Sequence, residues 1–267
     1  MTKIKAIISD ADGTLVDTMY LIRHGQYETV KSYLTTHGIP PSEIPSYEQY
    51  EEHLHKALGG SARETLERTV ALIYENKPDY LTDIDNNALH DLLNPIQDKI
   101  APEYVKAYPG LYDLLSFMGR EKINFAVFTS GTPHHVVRNF GISIPELGQT
   151  NFFLEKGIGD LDKLRMFETI MQDHFGIPCV TFVTCDDISA TKPDPESVFV
   201  ALDRLNVTKD EALILGDHWV DMKAGVNADV KMRVGVSHGF DDTEELIKAG
   251  ATEVIGSLSE LPGLLRG

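Results

Sequence analysis

Basic residues, cysteines and long apolar runs are scarce in this sequence of 267 residues, and each shortage argues against a class of protein. Lysine and arginine number 24 against 41 aspartate and glutamate residues, so the formal net charge is −17. Nucleic acids and anionic membranes bind basic surfaces, and we therefore expect this chain to bind neither. The two cysteines show neither the spacing of a metal site nor a disulfide framework. No apolar run is long enough to cross a bilayer.

The rest of the composition is typical of a soluble globular protein, with 42% hydrophobic and 24% charged residues. This length allows one large domain or two modest ones. Residues 1–5 lead directly into an apolar run without a secretory cleavage pattern, so we expect a cytoplasmic location. Nothing in the sequence predicts the oligomeric state.

Most of the chain alternates between strand-like and helix-like patterns. A short apolar run over residues 4–9 predicts a buried strand. A turn at 108–110 is followed by further strand candidates at 123–129, 182–185, 212–215 and 232–236, with helices between them. Such alternation predicts an α/β fold with a parallel sheet and helices on both faces. Ligands of such sheets gather at the carboxyl ends of the strands.

Residues 18–107 form a different kind of segment. Apolar residues at helical spacing predict helices over about 19–36, 47–58, 61–73 and 84–100. Gly59-Gly60 is expected to end the second helix, and a capping box from Ser61 to Glu64 to begin the third. We therefore predict a helical domain at 18–107, inserted into a core made of 1–17 and 108–267.

The first polar cluster, Asp10-Ala11-Asp12-Gly13, follows the first strand directly. Two carboxylates one residue apart repel each other, and burying either without a partner is costly. A divalent cation such as Mg2+ would relieve this conflict. One aspartate would then be free to act as a nucleophile and the other as a proton donor. Taken alone, the pattern also fits an ordinary acidic turn.

Two further segments have the character of phosphate sites. Ser130 and Gly131 follow a strand and precede a helix that begins near Pro133, so a hydroxyl and backbone N–H groups would form an anion cradle. Lys192 lies in a proline-stiffened loop at 191–195, where its charge would stabilise a phosphoryl group. The alternatives are an ordinary strand-to-helix turn and a solvated surface lysine.

A fourth segment places Asp217 and Asp221 after the apolar strand at 212–215, across the start of a helix. This spacing allows Asp217 to bind a cation while Asp221 supports that cation or pairs with Lys192. His218 and Trp219 are interpreted as packing residues.

Together these four segments resemble the haloacid dehalogenase superfamily of phosphotransferases, which has the same motifs in the same order. The resemblance implies a Rossmann-like core, an inserted helical cap, one Mg2+ and an aspartyl-phosphate intermediate. It assigns Asp10 as nucleophile, Asp12 as general acid and base, and Ser130 and Lys192 as phosphate contacts. We expect Asp10, Asp217 and the backbone carbonyl of Asp12 to bind the metal, supported by Asp221.

The expected function is therefore Mg2+-dependent hydrolysis of a small phosphorylated metabolite, and that metabolite is the expected partner. The alternatives are a phosphomutase of the beta-phosphoglucomutase type and a non-catalytic binding protein on the same fold. The mutase has a histidine where this chain has Ile22 and a lysine where it has Gly59. Its cap arginine is matched by Arg63, which either binds substrate or pairs with Glu67 on its own helix.

Overall fold

The chain divides into two compact units. The structure is a computed structural model that describes residues 3–57, 62–76, 84–148 and 157–266. The first unit consists of Met1–Asp17 and Lys106–Gly267, and the second of Thr18–Val105. The expected helix end at Gly59-Gly60 and the start of the expected capping box at Ser61 lie outside the described residues.

A parallel sheet forms the centre of the first unit. Within the described residues it has six strands in the order β5-β4-β1-β6-β7-β8, and every neighbouring pair is parallel. A short antiparallel pair, β2 with β3, lies apart from it. The strands are β1 (Ala6–Ser9), β2 (Val16–Asp17), β3 (Lys106–Ala107), β4 (Asn124–Phe128), β5 (Val180–Val183), β6 (Ala212–Gly216), β7 (Met232–Val236) and β8 (Glu253–Ile255). The first strand of the chain is thus an inner strand, flanked by β4 and β6.

Several strand predictions need correction. β5 lies two residues before the expected 182–185, because Cys185–Asp187 forms a turn of 3-10 helix and Cys185 cannot continue the strand. β8 was missed because it has only three residues, of which Glu253 is exposed, so no apolar run marks it. Lys106, expected at the end of the helical segment, belongs to β3 and pairs with Asp17.

Four α-helices within the described residues form most of the second unit. They are α1 (Met19–Thr36), α2 (Tyr47–Ala57), α3 (Ala62–Ile73) and α4 (Asn86–Tyr104). Their apolar faces form one core that includes Leu34, Leu54, Leu66 and Leu93. α4 begins later than expected because the Asp85 carboxylate caps it, accepting from the backbone N–H of Asn87 at 2.9 Å. Although α1 and α4 are long, no helix within the described residues is apolar enough to span a membrane.

Helices cover both faces of the sheet in the first unit. They are α5 (Leu111–Glu121), α6 (Pro133–Ser143), α7 (Pro145–Gly148), α8 (Asp160–Phe175), α9 (Glu196–Leu205), α10 (Trp219–Asn227), α11 (Thr243–Ala249) and α12 (Leu261–Leu264). Ile8 belongs to a core cluster with Val198 of α9, Met222 of α10 and Leu246 of α11. Ile7, its neighbour on β1, is equally buried and points to the opposite face. The predicted α/β architecture is therefore confirmed.

Gly119 allows α5 to pack closely against the end of α8. A Cβ at this position would lie 1.7 Å from the backbone oxygen of Phe175. We expect Gly119→Ala to force the two helices apart and to lower the free energy of unfolding by about 1–3 kcal/mol, measured by urea denaturation.

The matched control is Gly263→Ala in α12, where a Cβ would meet no atom within 4 Å. This variant should change the free energy of unfolding by less than about 0.5 kcal/mol. Equal effects of the two substitutions would contradict the role of Gly119 in this packing.

Candidate active site

Three neighbouring strands, β4, β1 and β6, bring the predicted motifs to one edge of the sheet. Asp10 follows β1, Thr129 follows β4, and Asp217 follows β6. The backbone N–H of Asp10 donates to the carbonyl oxygen of Leu215 at 2.8 Å, which extends the pairing of β1 with β6 by one residue. Because the strands are parallel, their carboxyl ends face the same edge. Motifs more than 200 residues apart therefore meet.

Lys192 is buried at the centre of this cluster, with a side chain only 5% exposed. Its Nζ donates to a carboxylate oxygen of Asp10, to Asp221 Oδ1 at 2.6 Å and to the carbonyl oxygen of Phe128 at 3.3 Å. Burial by itself lowers the pKa of Lys192, but the two carboxylates outweigh it and raise the pKa above its ordinary value. Lys192 is thus a fixed buried cation, and the surface alternative is wrong for this residue.

Three buried carboxylates surround this one cation. Within the described residues, oxygens of Asp10, Asp217 and Asp221 lie within 4.8 Å of one another. Burial raises the pKa of Asp10 to about 6, and the charge of Asp221 adds to this effect while Lys192 opposes it. Burial and the charges of Asp10 and Asp221 also raise the pKa of Asp217 well above its usual range. A group of hard oxygen donors with too little positive charge fits Mg2+.

The carboxylate of Asp217 is held in one orientation. The Thr14 hydroxyl donates to Oδ1 at 2.6 Å, and the backbone N–H of Phe240 donates to Oδ2 at 2.8 Å. Gly13, at φ +88°, adopts the left-handed conformation that favours glycine, and a Cβ there would lie 2.3 Å from Asp217 Oδ2. Thr14 was not among the predicted site residues, although it is the last residue of the DxDGT motif.

Asp221 has both of its carboxylate oxygens engaged by donors. Oδ1 accepts from Lys192, and Oδ2 accepts from the backbone N–H of His218 at 3.1 Å. The structure therefore shows the pairing with Lys192 that was one of the two alternatives. His218 itself packs against Phe240, with ring centroids 5.6 Å apart, in agreement with its interpretation as a packing residue.

Asp12 has a different environment from Asp10, two residues earlier. It is partly exposed, and its Oδ1 accepts from the side-chain amide of Asn139 in α6 at 2.8 Å. Asp10 instead faces the charged Lys192. Two neighbouring carboxylates in unlike surroundings are suited to different chemical roles.

The hydroxyl at the end of β4 belongs to Thr129. The strand ends at Phe128, one residue earlier than expected, so Thr129 comes first after it and Ser130 second. Thr129 is 3% exposed, and its Oγ1 accepts from the backbone N–H of Gly131 at 3.0 Å. Thr129 thus joins Ser130 and Gly131 as a candidate phosphate contact that the sequence analysis overlooked.

Arg63, the predicted substrate contact of the helical segment, lies on α3 in the second unit. Its Nε donates to Glu67 Oε1 at 2.9 Å, and its Nη2 donates to Asn87 Oδ1 at 2.8 Å. The structure thus shows the pairing with Glu67 that was the alternative interpretation. A role in substrate binding stays a prediction.

Comparison with known families adds an independent observation. A family model described as haloacid dehalogenase-like hydrolase matches residues 4–229, a range that contains all four motifs. The chain belongs to the haloacid dehalogenase-like hydrolases. The resemblance inferred from the motifs is thereby confirmed, and so is the prediction that the chain is an enzyme.

Several similar proteins are phosphatases by name. A phosphorylated carbohydrates phosphatase of Thermotoga maritima is 24% identical over 252 residues, which cover 94% of each chain. Pyrophosphatase PpaX of Listeria welshimeri is 23% identical over 264 residues, covering 99% of this chain and 97% of its own. The crystal structure of a protein described as a predicted phosphoglycolate phosphatase from Haemophilus somnus has a TM-score of 0.72 at 17% identity, covering 99% of each chain. This last likeness shows a common fold.

The carboxylate cluster predicts that Mg2+ stabilises the folded protein. We expect MgCl2 to raise the melting temperature, because a bound cation relieves repulsion among Asp10, Asp217 and Asp221. At a Mg2+ concentration of about 100 times its Kd, binding raises the free energy of unfolding by about 2.7 kcal/mol. Asp217→Asn should remove most of this rise, measured by differential scanning fluorimetry.

The control is Asp203→Asn, which removes an exposed carboxylate on α9 and should leave the Mg2+ effect intact. A wild-type melting temperature that does not change with Mg2+ would contradict this assignment. So would a rise in Asp217→Asn equal to that of the wild type.

Proposed function

We propose that this chain is a Mg2+-dependent phosphatase that hydrolyses a small phosphorylated metabolite through an aspartyl-phosphate on Asp10. The observation that carries the proposal is the buried Lys192, which holds Asp10 and Asp221 beside a third carboxylate at the sheet edge. The names of the relatives support the substrate class, since one is a phosphatase of phosphorylated carbohydrates and another a pyrophosphatase.

Asp10 is the proposed nucleophile because one of its oxygens is held and the other is more loosely engaged. Oδ1 accepts from Lys192, whereas Oδ2 lies 3.5 Å from the Thr14 hydroxyl. The ion pair with Lys192 favours the charged form of Asp10, which has the lone pair needed for attack. Oδ2 attacks phosphorus, the bond from phosphorus to the ester oxygen breaks, and the phosphoryl group is transferred to Asp10.

Asp12 is the proposed proton carrier. In the first step it gives its proton to the departing ester oxygen, so the product leaves as an alcohol. In the second step it takes a proton from the water that attacks the phosphorus of the aspartyl-phosphate. Phosphate leaves, Asp10 is regenerated as a carboxylate, and Asp12 is again protonated.

The phosphoryl oxygens need donors and positive charge. We assign this task to Lys192, to the hydroxyls of Thr129 and Ser130, and to the backbone N–H of Gly131. A bound Mg2+, held by Asp10, Asp217 and the backbone carbonyl of Asp12 and supported by Asp221, would supply further positive charge to the same oxygens.

The second unit, residues 18–105, is the proposed cap, which excludes bulk water and selects the substrate. Ile22 is apolar and Gly59 has no side chain. At these positions beta-phosphoglucomutase has a histidine and a lysine. We therefore propose water as the final acceptor of the phosphoryl group.

The test of the function is phosphate release by the purified chain with Mg2+ over a panel of phosphorylated sugars, pyrophosphate and phosphoglycolate. A phosphatase releases phosphate from at least one of them, and excess EDTA stops the reaction. A binding protein releases none. A mutase converts beta-glucose 1-phosphate to glucose 6-phosphate faster than it releases phosphate.

Substitutions of the two aspartates of the first motif should have different effects on turnover. We expect Asp10→Asn to abolish turnover, because an amide does not act as the nucleophile. Asp12→Asn should retain the nucleophile and lose proton transfer, lowering kcat by about 10²–10⁴-fold. Steady-state kinetics on the best substrate of the panel measures both, and near-normal turnover by Asp10→Asn would refute the assignment of the nucleophile.

Arg63 should affect specificity if it meets an anionic group of the substrate distant from the reacting phosphate. Arg63→Ala should then lower kcat/KM for that substrate by about tenfold to a hundredfold, the effect of losing a charged hydrogen bond. It should leave p-nitrophenyl phosphate, which has no second anion, almost unchanged.

Lys31→Ala is the control, since it also removes a cation paired with a nearby glutamate of the same unit, Glu28. Lys31→Ala should change kcat/KM for neither of the two substrates. Equal losses on both substrates in Arg63→Ala would mean that Arg63 has no part in selecting the substrate.

A further inference from the structure

A chain of buried polar side chains leads from α6 to Asp12. Arg138 Nε donates to Asn139 Oδ1 at 2.9 Å, and Asn139 Nδ2 donates to Asp12 Oδ1 at 2.8 Å. Asn139 is 3% exposed and Arg138 6% exposed. Neither residue belongs to the four motifs, and Asn139 is 127 positions from Asp12.

The order of donors and acceptors along these two hydrogen bonds allows only one orientation of the Asn139 amide. A guanidinium group can only donate, so the atom of Asn139 that faces Arg138 must be its oxygen. The NH2 group is then directed at Asp12, whose ionised carboxylate can only accept. Arg138 thereby fixes which end of Asn139 meets Asp12.

This contact also distinguishes the two oxygens of Asp12. Because Oδ1 accepts from Asn139, the proton carried by the acid form belongs on Oδ2. The hydrogen bond then restrains the carboxyl group and places its proton on a defined atom. Such orientation matters in catalysis, because a misplacement of about 1 Å can lower a rate by about 10²-fold.

The fold of α6 does not explain an asparagine at this position. Thr132 caps the helix, and Val136, Val137 and Phe140 already provide buried apolar contacts. Asparagine is a poorer helix former than leucine or methionine. Its direct contact is with a carboxylate of the candidate active site.

We infer that Asn139, oriented by Arg138, is a positioning residue that aims the Asp12 carboxyl group at the ester oxygen of the substrate. The inference rests on the proposed function, in which Asp12 transfers the proton. Asn139 acts through Asp12 and is not itself a catalytic residue.

The test compares substrates that differ in their need for a proton. The p-nitrophenolate ion leaves readily without one, whereas the alkoxide of glycerol 2-phosphate does not. The quantity to compare is kcat/KM, which covers formation of the aspartyl-phosphate and not its later hydrolysis, the step in which Asp12 takes a proton whatever the substrate. Asn139→Leu should therefore lower kcat/KM for glycerol 2-phosphate by about tenfold or more and kcat/KM for p-nitrophenyl phosphate by less than about threefold. Arg138→Met should show the same selective loss to a smaller extent.

A second arm repeats Asn139→Leu in a chain that already has Asp12→Asn. If Asn139 acts through Asp12, the added substitution should leave kcat/KM for glycerol 2-phosphate within about twofold of the Asp12→Asn value. Asn139→Ala serves in place of Asn139→Leu if the larger side chain prevents folding, which thermal melts will show.

Val136→Ala is the control for lost packing, since Val136 is buried in the same helix. It should lower the melting temperature without any difference between the two substrates. Equal losses of kcat/KM on both substrates in Asn139→Leu, or a full further loss of kcat/KM in the Asp12→Asn background, would overturn the inference. Absence of phosphate release by the wild type from every phosphate ester would instead reject the proposed function.

Discussion

The ammonium group of Lys192, buried among carboxylates, is the interaction on which the site depends. A buried cation needs partners that repay its lost hydration, and Asp10 and Asp221 provide them. Removing one partner of such a cluster typically costs about 3–5 kcal/mol, because the remaining charge stays buried and uncompensated. Lys192 also donates to the carbonyl oxygen of Phe128 at the end of β4. One side chain thus joins the ends of two strands, the loop before α9 and the first turn of α10.

The same charge balance separates the two aspartates of the first motif. Asp10 lies in the buried cluster, where Lys192 favours its ionised form against the effect of burial. Asp12 is partly exposed and faces a neutral amide from α6. A nucleophile needs a lone pair, whereas a proton carrier needs a mobile proton in a fixed place. The different surroundings match these different needs without any change in residue type.

The sequence was a good guide wherever a motif lies on a single strand end. Apolar runs before Asp10 and Asp217 predicted both strands, and the α/β alternation predicted that their ends share one edge. Boundaries within polar segments were harder to predict, because Thr129-Ser130-Gly131 has no apolar signal to show where β4 ends. Thr129 was overlooked because the position of the end of β4 was uncertain by one residue. Asn139 was beyond prediction, since only the packing of α6 beside the β2–β3 pair brings it to Asp12.

The central claim is that Asp10 carries the phosphoryl group during turnover. The most direct measurement is to mix the protein with its best substrate and Mg2+, quench with acid within a turnover, and map the phosphorylated peptide by mass spectrometry. We expect one phosphoryl group on the peptide that contains Asp10, labile to hydroxylamine as an acyl phosphate is, and none in Asp10→Asn. Phosphate release by the wild type with no phosphorylated peptide at any quench time, or with the label on another residue, would contradict the account.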